Sequence, residues 1–343
     1  MTFGWGIVSL GRHPGRIMAP AINSAQDTTL AAVCSRDMIQ AQEFASTHGA
    51  GAAYDSYEDM LKDPNVDAVY VASPNSLHAE HTIQAALAGK HVLCDKPMAL
   101  TVEDCQRMVD TCKEENVKLG ICFHLRHHPG HNEVRNLVKS GALGVISLAQ
   151  GQWGAGELGQ AFPLPRSGRM AWWDSPTMAG AGAMMGSGVH VVDMLRYVTG
   201  QEVTEVVALT DGQTAERPLE QLTTMLLRFH DGTLGMVYST RRTPNPMSDL
   251  ILHGSGGRIA FYNSLSMTLQ GHLEVRVAQK TRTHSYNGKD TALYTNMVEA
   301  FHRSIDQDEE PNASGWDGLK VAQVTAAMVE SARTGRTIKL AGN

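Results

Sequence analysis

Residues 68–97 read AVYVASPNSLHAEHTIQAALAGKHVLCDKP, and this stretch decides the fold. Ala68–Ala72 is an unbroken apolar run of strand length. Leu77–Ala88, with Leu77, Ile83, Ala85 and Leu87, suits a helix that stops at Gly89. His91–Cys94 is a second strand-length run. Strands apolar along their whole length are covered on both faces, and two of them joined through a helix make a parallel βαβ unit.

The same alternation extends outward. Upstream lie a run at Trp5–Leu10, a helical stretch at Ile17–Ser24, a run at Thr29–Cys34 and a helix through Ile39, Phe44 and Ala45. Downstream, a helix over Val102–Asn116 opens on Thr101 with acidic residues in its first turn, and Lys118–Phe123 is another strand. Residues 1–123 therefore read as a doubly wound α/β domain. After residue 123 the rhythm changes. Val145–Trp153, Leu222–His230, Leu234–Ser239, Asp249–His253 and Arg258–Tyr262 read as successive strands, with Asp231-Gly232 a hairpin turn. Helices over Asp290–Asp306 and Trp316–Thr334 follow. Residues 124–343 thus read as an α+β domain with an open, mostly antiparallel sheet.

Composition narrows the function. The chain has 343 residues, 42% hydrophobic and 19% charged, which excludes a disordered or fibrous protein. A net charge of −6 argues against a nucleic acid partner. The longest nearly uncharged stretch, Trp172–Tyr197, is interrupted by Asp174, Pro176, His190, Asp193 and several glycines and serines, so no membrane span is expected. No secretory leader is legible, and a cytoplasmic protein is expected. Cys34, Cys94, Cys105, Cys112 and Cys122 lack metal or redox spacing and read as buried, reduced thiols; only Cys94, beside Asp95, draws notice.

Two strand ends suggest a dinucleotide. The first strand runs into Ser9, Gly11, Arg12 and His13, where glycine lets backbone N–H groups approach a pyrophosphate at a helix N-terminus. The fit to G-x-G-x-x-G is poor, because Ser9 and Pro14 hold the outer positions, but the loop sits where such a motif belongs. The second strand ends in Ser35, Arg36 and Asp37. Ser35 and Arg36 suit a 2′-phosphate and favour NADP over NAD; Asp37 suits the start of the next helix equally well.

Two further strand ends are Ser73-Pro74-Asn75, which opens a helix containing His78, and Asp95-Lys96-Pro97, which puts a lysine where doubly wound folds bind ligands. Pro97 forces a sharp exit, and its peptide bond is a candidate for the cis form. GKHVLCDKPMALT resembles the GKHVxxEKPxA motif of the glucose–fructose oxidoreductase/inositol dehydrogenase/MocA (Gfo/Idh/MocA) family. PNSLHAEHTIQAALAG is similar to that family's P-x-x-x-H…A-L-x-A-G block, and the resemblance continues in order along nearly the whole chain.

The resemblance implies a Rossmann domain for the cofactor, a second domain for the substrate, and homodimers or homotetramers formed through the open sheet. It makes Lys96 the active-site lysine, with Asp95 in the place of glutamate. Arg126 matches the arginine of a block near the cofactor, and His124 resembles the H-x-R element of 1,5-anhydrofructose-reductase-like members. By itself the His124–His128 run reads as a loop of solvated imidazoles. Its H-x-x-H-H spacing lacks a nearby acidic partner, so no metal is expected. His190 matches a helical histidine that donates a proton or anchors substrate, but the aspartate one turn earlier is replaced by Gly186. Asp193 is a candidate partner for His190 in its place. Trp173 stands where a tryptophan–arginine pair is common and is a candidate substrate contact; the loop 162–169, with Arg166 and Arg169, offers a substitute cation.

The expectation is an NADP-preferring oxidoreductase acting on a sugar, cyclic polyol or keto-sugar derivative, with Lys96 and His190 meeting at the nicotinamide. The alternatives are a lyase or hydratase on 3-keto-glycosides with retained cofactor, and a non-catalytic NADP-binding regulatory protein.

Overall fold

The computed structural model describes residues 2–244 and 248–340. The chain divides into two compact units, Met1–His124 with Asp290–Leu319, and Leu125–Lys289 with Lys320–Asn343.

In the first unit β1 (Phe3–Val8), β2 (Thr28–Cys34), β3 (Ala52–Tyr54), β4 (Ala68–Val71), β5 (His91–Cys94) and β6 (Leu119–Ile121) form one sheet in the order β3-β2-β1-β4-β5-β6. Every neighbouring pair is parallel. The apolar runs are buried as their composition requires, Ile7, Val69, Tyr70 and Val92 completely. The strand order reverses between β1 and β4, which opens a crevice at the carboxyl ends of the strands. Thr101 caps the helix Val102–Glu114 by accepting from the Asp104 amide.

The sequence boundary at 123/124 assigns everything after it to the second domain, whereas Asp290–Leu319 packs with the first unit. In this segment the helix Ala292–Asp306 sets Phe301 against Trp5, with ring centroids 5.7 Å apart. A β-carbon at Gly120 would lie 2.8 Å from the Phe301 ring, so that glycine makes room for the helix.

The second unit is built on β7 (Ile146–Gly154), β8 (Val203–Thr210), β9 (Leu222–Phe229), β10 (Leu234–Thr240), β11 (Leu250–Gly254), β12 (Gly257–Tyr262), β13 (Gln270–Val277), β14 (Lys280–Asn287) and β15 (Ile338–Lys339). Their order is β14-β13-β12-β11-β7-β10-β9-β8-β15. All pairs are antiparallel except β7 with β10, as the sequence pattern suggests. The hairpin at Asp231-Gly232 is present, with Gly232 at φ 90°. The strand β14 gives no period-two signal because nearly all of its residues are exposed, and the sequence pattern misses it. The helix Val189–Thr199 is buried at every position. Among the described residues no helix is long and apolar enough to cross a membrane.

Candidate functional site

In the first unit the candidate residues gather at the carboxyl ends of β1, β2, β4 and β5. Ser9 leaves β1 with φ 72°, and its amide donates to Cys34 O at the end of β2. Gly11 is exposed, and a β-carbon there would meet only Pro14 Cδ at 4.0 Å. Arg12 is exposed and His13 half-buried. The helical segment beginning at Pro14 carries no side-chain cap at His13, and its Gly15 amide donates to Gly11 O. An open glycine backbone at a helix start, at the strand-order reversal, fits a dinucleotide pyrophosphate.

At the end of β2, Asp37 accepts from the Ile39 and Gln40 amides and so caps the next helix. That leaves Ser35 and the exposed Arg36 at the strand tip. Gln40, which the sequence does not single out, ties two loops together: its Nε2 donates to Leu10 O at 2.7 Å and its Oε1 accepts from Ser35 Oγ at 2.8 Å.

The loops after β4 and β5 are joined by His78, which is buried with Nε2 2.7 Å from Ser73 O and Nδ1 2.7 Å from Pro97 O. Burial holds its pKa down, partly offset by Asp95 and by these two carbonyls. Ser73 and Asn75 are buried; Pro74, Asp95 and Lys96 are half-buried. The Lys96–Pro97 peptide is cis. Asp95 Oδ1 accepts from the Lys96 amide at 2.7 Å. Burial pushes the Asp95 carboxyl up, but His13, Lys96, His78 and that amide outweigh it and hold it below the usual carboxylate range. The strand end therefore presents a firmly ionised carboxylate beside an ammonium group.

Tyr294, on the helix Ala292–Asp306, is the residue here that sequence reasoning missed. His124 stacks on its ring at 4.7 Å, and His13 meets it edge-on at 5.3 Å. No local signal could find it, because it lies 170 residues from the nearer histidine in the chain. Burial pushes its hydroxyl pKa well up, with Cys122 and Asp95 adding to the effect. All five cysteines are buried and unbridged, and burial raises Cys94 well above a reactive range.

The expectation of solvated imidazoles after β6 is overturned: His124, His127 and His128 are all buried. His128 instead caps the helix Pro129–Lys139, with Nδ1 accepting from the Gly130 amide and Nε2 3.0 Å from Gln270 O. A run of ring nitrogens looks hydrophilic in sequence, but the His128 nitrogens go to a helix cap and a carbonyl, and the His124 ring is buried against Tyr294.

In the second unit His190 is buried near the start of its helix and stacks on Trp153 of β7, centroids 5.1 Å apart and rings 25° from parallel. The turn before it, Met184–Gly188, has π-helical hydrogen bonding. Glu220 anchors this turn: its two oxygens accept from the Gly182 amide at 2.8 Å and the Met184 amide at 3.0 Å, while its backbone carbonyl accepts from Ala183 N. A β-carbon at Gly182 would collide with that carbonyl. Ser187 and Ser239 hydroxyls lie 2.8 Å apart and tie the turn to β10. At Gly186 a β-carbon would meet nothing within 4 Å, so the missing side chain leaves open space.

Asp193 turns both oxygens to Arg126, which therefore reaches a carboxylate on the neighbouring helix. Trp173 stacks on Trp172 at 4.3 Å, and the Arg166 guanidinium lies 5.5 Å from the Trp173 centroid. Arg166 is ion-paired with Asp174 at 2.8 Å.

Comparison with known proteins agrees with this architecture. Residues 3–123 match the oxidoreductase family with an NAD-binding Rossmann fold, and residues 131–260 match the GFO/IDH/MocA C-terminal domain. The chain is 29% identical to a 1,5-anhydro-D-fructose reductase of Ensifer adhaerens over 98% of both chains. It is 28% identical to a D-xylose 1-dehydrogenase (NADP(+)) of Haloferax volcanii over 98% of this chain and 99% of that one. The solved structure of a levoglucosan dehydrogenase with NADH and levoglucosan superposes with a TM-score of 0.88 at 25% identity, over 98% of this chain and 99% of that one.

Proposed function

The chain belongs to the Gfo/Idh/MocA oxidoreductase family, and from that premise we propose that it moves hydride between a nicotinamide dinucleotide and a carbinol or carbonyl carbon of a sugar, cyclic polyol or keto-sugar. The observation that carries this reading is the Asp95–Lys96 strand end: an ionised carboxylate and an ammonium group one strand from the strand-order reversal.

The dinucleotide, when bound, supplies or accepts the hydride. The chain's own residues do the rest. Backbone groups at Ser9, Gly11, Arg12 and His13 hold the pyrophosphate; Ser73, Pro74, Asn75, His78 and Pro97 frame the loops beside it. NADP is the preferred form, supported by the use of Asp37 as a helix cap and by the exposed Arg36 next to Ser35. Lys96 donates a hydrogen bond to the reacting oxygen and offsets its negative charge as alkoxide character grows. Asp95 steadies that lysine's loop through its amide. His190 exchanges the proton, held by its stack on Trp153. His124, Trp173 and the space at Gly186 are the proposed substrate contacts. Arg126 acts through Asp193 rather than at the cofactor, a reading supported by their paired geometry.

Self-association through the open sheet, as a homodimer or homotetramer, is supported by exposed Val207, Leu226 and Met236, which lie in one row across β8, β9 and β10. The test is steady-state reduction of a ketose panel with NADPH and NADH. Lys96→Met is expected to lower kcat by a factor of about 10²–10⁴ while dinucleotide binding persists. A loss below about tenfold removes the assigned role. Product formation with no net change in reduced nicotinamide favours the lyase reading instead.

A further inference from the structure

Two arginines in the second unit converge on one aspartate. Arg166 donates to Asp174 from its backbone N at 2.5 Å and its Nη1 at 2.8 Å. Arg241, the first residue past β10, lies with Nη1 3.7 Å from Asp174 Oδ1 and 3.0 Å from Gln221 Oε1. The neighbouring Arg242 has its own carboxylate, Asp211, at 3.1 Å. Among the described residues, then, two guanidiniums share Asp174 and leave an excess positive charge.

The group is half-buried and still reachable: the side chains of Arg166, Asp174 and Arg241 expose 24%, 30% and 20% of their surface. Burial lowers the pKa of both arginines, and at Arg241 the nearby Arg166 adds to it, bringing it to about 10. Both remain charged at neutral pH, so the cluster carries a desolvated, self-repelling charge that an anion would relieve. Guanidinium forks match the oxygen pairs of carboxylates and phosphates.

The location ties the cluster to His190. Ser239 on β10 contacts Ser187 in the turn before that histidine, and Ser239 is the register partner of Trp153, which stacks on it. Arg241 follows Ser239 by two residues, about 7 Å of strand. We propose that Arg166 and Arg241 form an anion-binding subsite, and that the substrate is a sugar or polyol carrying a carboxylate or phosphate. This rests on the reading that the second unit holds the substrate.

The test is calorimetric titration of the protein, saturated with NADP⁺, by D-glucuronate, D-glucose 6-phosphate and D-glucose. At least one charged probe is expected to bind about tenfold or more tightly than D-glucose. The tighter of the two identifies carboxylate or phosphate as the recognised group. The preference should collapse in Arg166→Gln and Arg241→Gln, persist in the surface variant Arg276→Gln, and weaken in wild type as chloride is raised. Thermal unfolding checks that each variant folds; if the glutamine variants do not, the wild-type preference and its chloride dependence decide. No preference for either anion in wild type, including no binding at all, overturns the subsite. Anion binding without hydride transfer would leave the subsite standing and remove the dehydrogenase reading; turnover of neutral sugars without anion preference would do the reverse.

Discussion

Arg126 and Asp193 form a bidentate ion pair, with Nε 2.9 Å from Oδ2 and Nη2 2.6 Å from Oδ1, and the two side chains expose only 5% and 1% of their surface. Removing one member of such a pair leaves the other charged and desolvated. Asp193→Asn is expected to lower unfolding free energy by about 3–5 kcal/mol. The double variant Arg126→Met/Asp193→Leu should recover most of that loss in a urea titration. Additive losses in the double variant would show that the pair is not acting as a unit.

The open space at Gly186 allows a carboxylate one helical turn before His190. Gly186→Asp is expected to fold with wild-type stability to within about 1 kcal/mol. A negative charge there favours imidazolium. With His190 as the proton donor in the reduction direction, the alkaline limb of kcat/KM is expected to move upward. An unmoved limb would mean that His190 does not govern the profile.

His128 is held neutral by its geometry, since Nδ1 must accept from the Gly130 amide. Burial lowers its pKa to about 4 from an ordinary 6.5, partly offset by its bond to Gln270 O. The unfolded chain therefore binds a proton between those values when the folded chain does not. Stability from this group is full above pH 6.5 and falls as pH drops toward 4, by about 3 kcal/mol. His128→Asn keeps a side-chain oxygen for the cap. Its unfolding free energy should fall less steeply across this window than that of wild type.

Arg36 is exposed beside Ser35, while Asp37 is engaged as a cap. Arg36→Leu is expected to raise KM for NADP by about tenfold, with KM for NAD unchanged within about twofold. Equal effects on both cofactors would remove the 2′-phosphate assignment.

Much of this was legible in the chain itself. The βαβ rhythm is a local property: a buried parallel strand must be apolar throughout, so AVYVA and HVLC declare themselves. The Asp95-Lys96-Pro97 strand end and the Thr101 cap are equally local. His190 was found through a helical motif, but its stack on Trp153 was not, because strand and helix meet only when the sheet forms. Tyr294 was invisible for the same reason, since the helix carrying it returns to the first unit from far along the chain.

The histidines mark the boundary between the two kinds of information. Sequence alone determined the alternation of strands and helices in the first unit and much of the strand succession in the second, because burial periodicity and turn residues act over a few positions. The tertiary structure decided what each imidazole, guanidinium and carboxylate does there. A side chain's charge state and hydrogen-bond partners depend on burial and on groups many residues away. That is why His128 became a cap, Asp193 the partner of Arg126, and Arg241 a neighbour of Arg166.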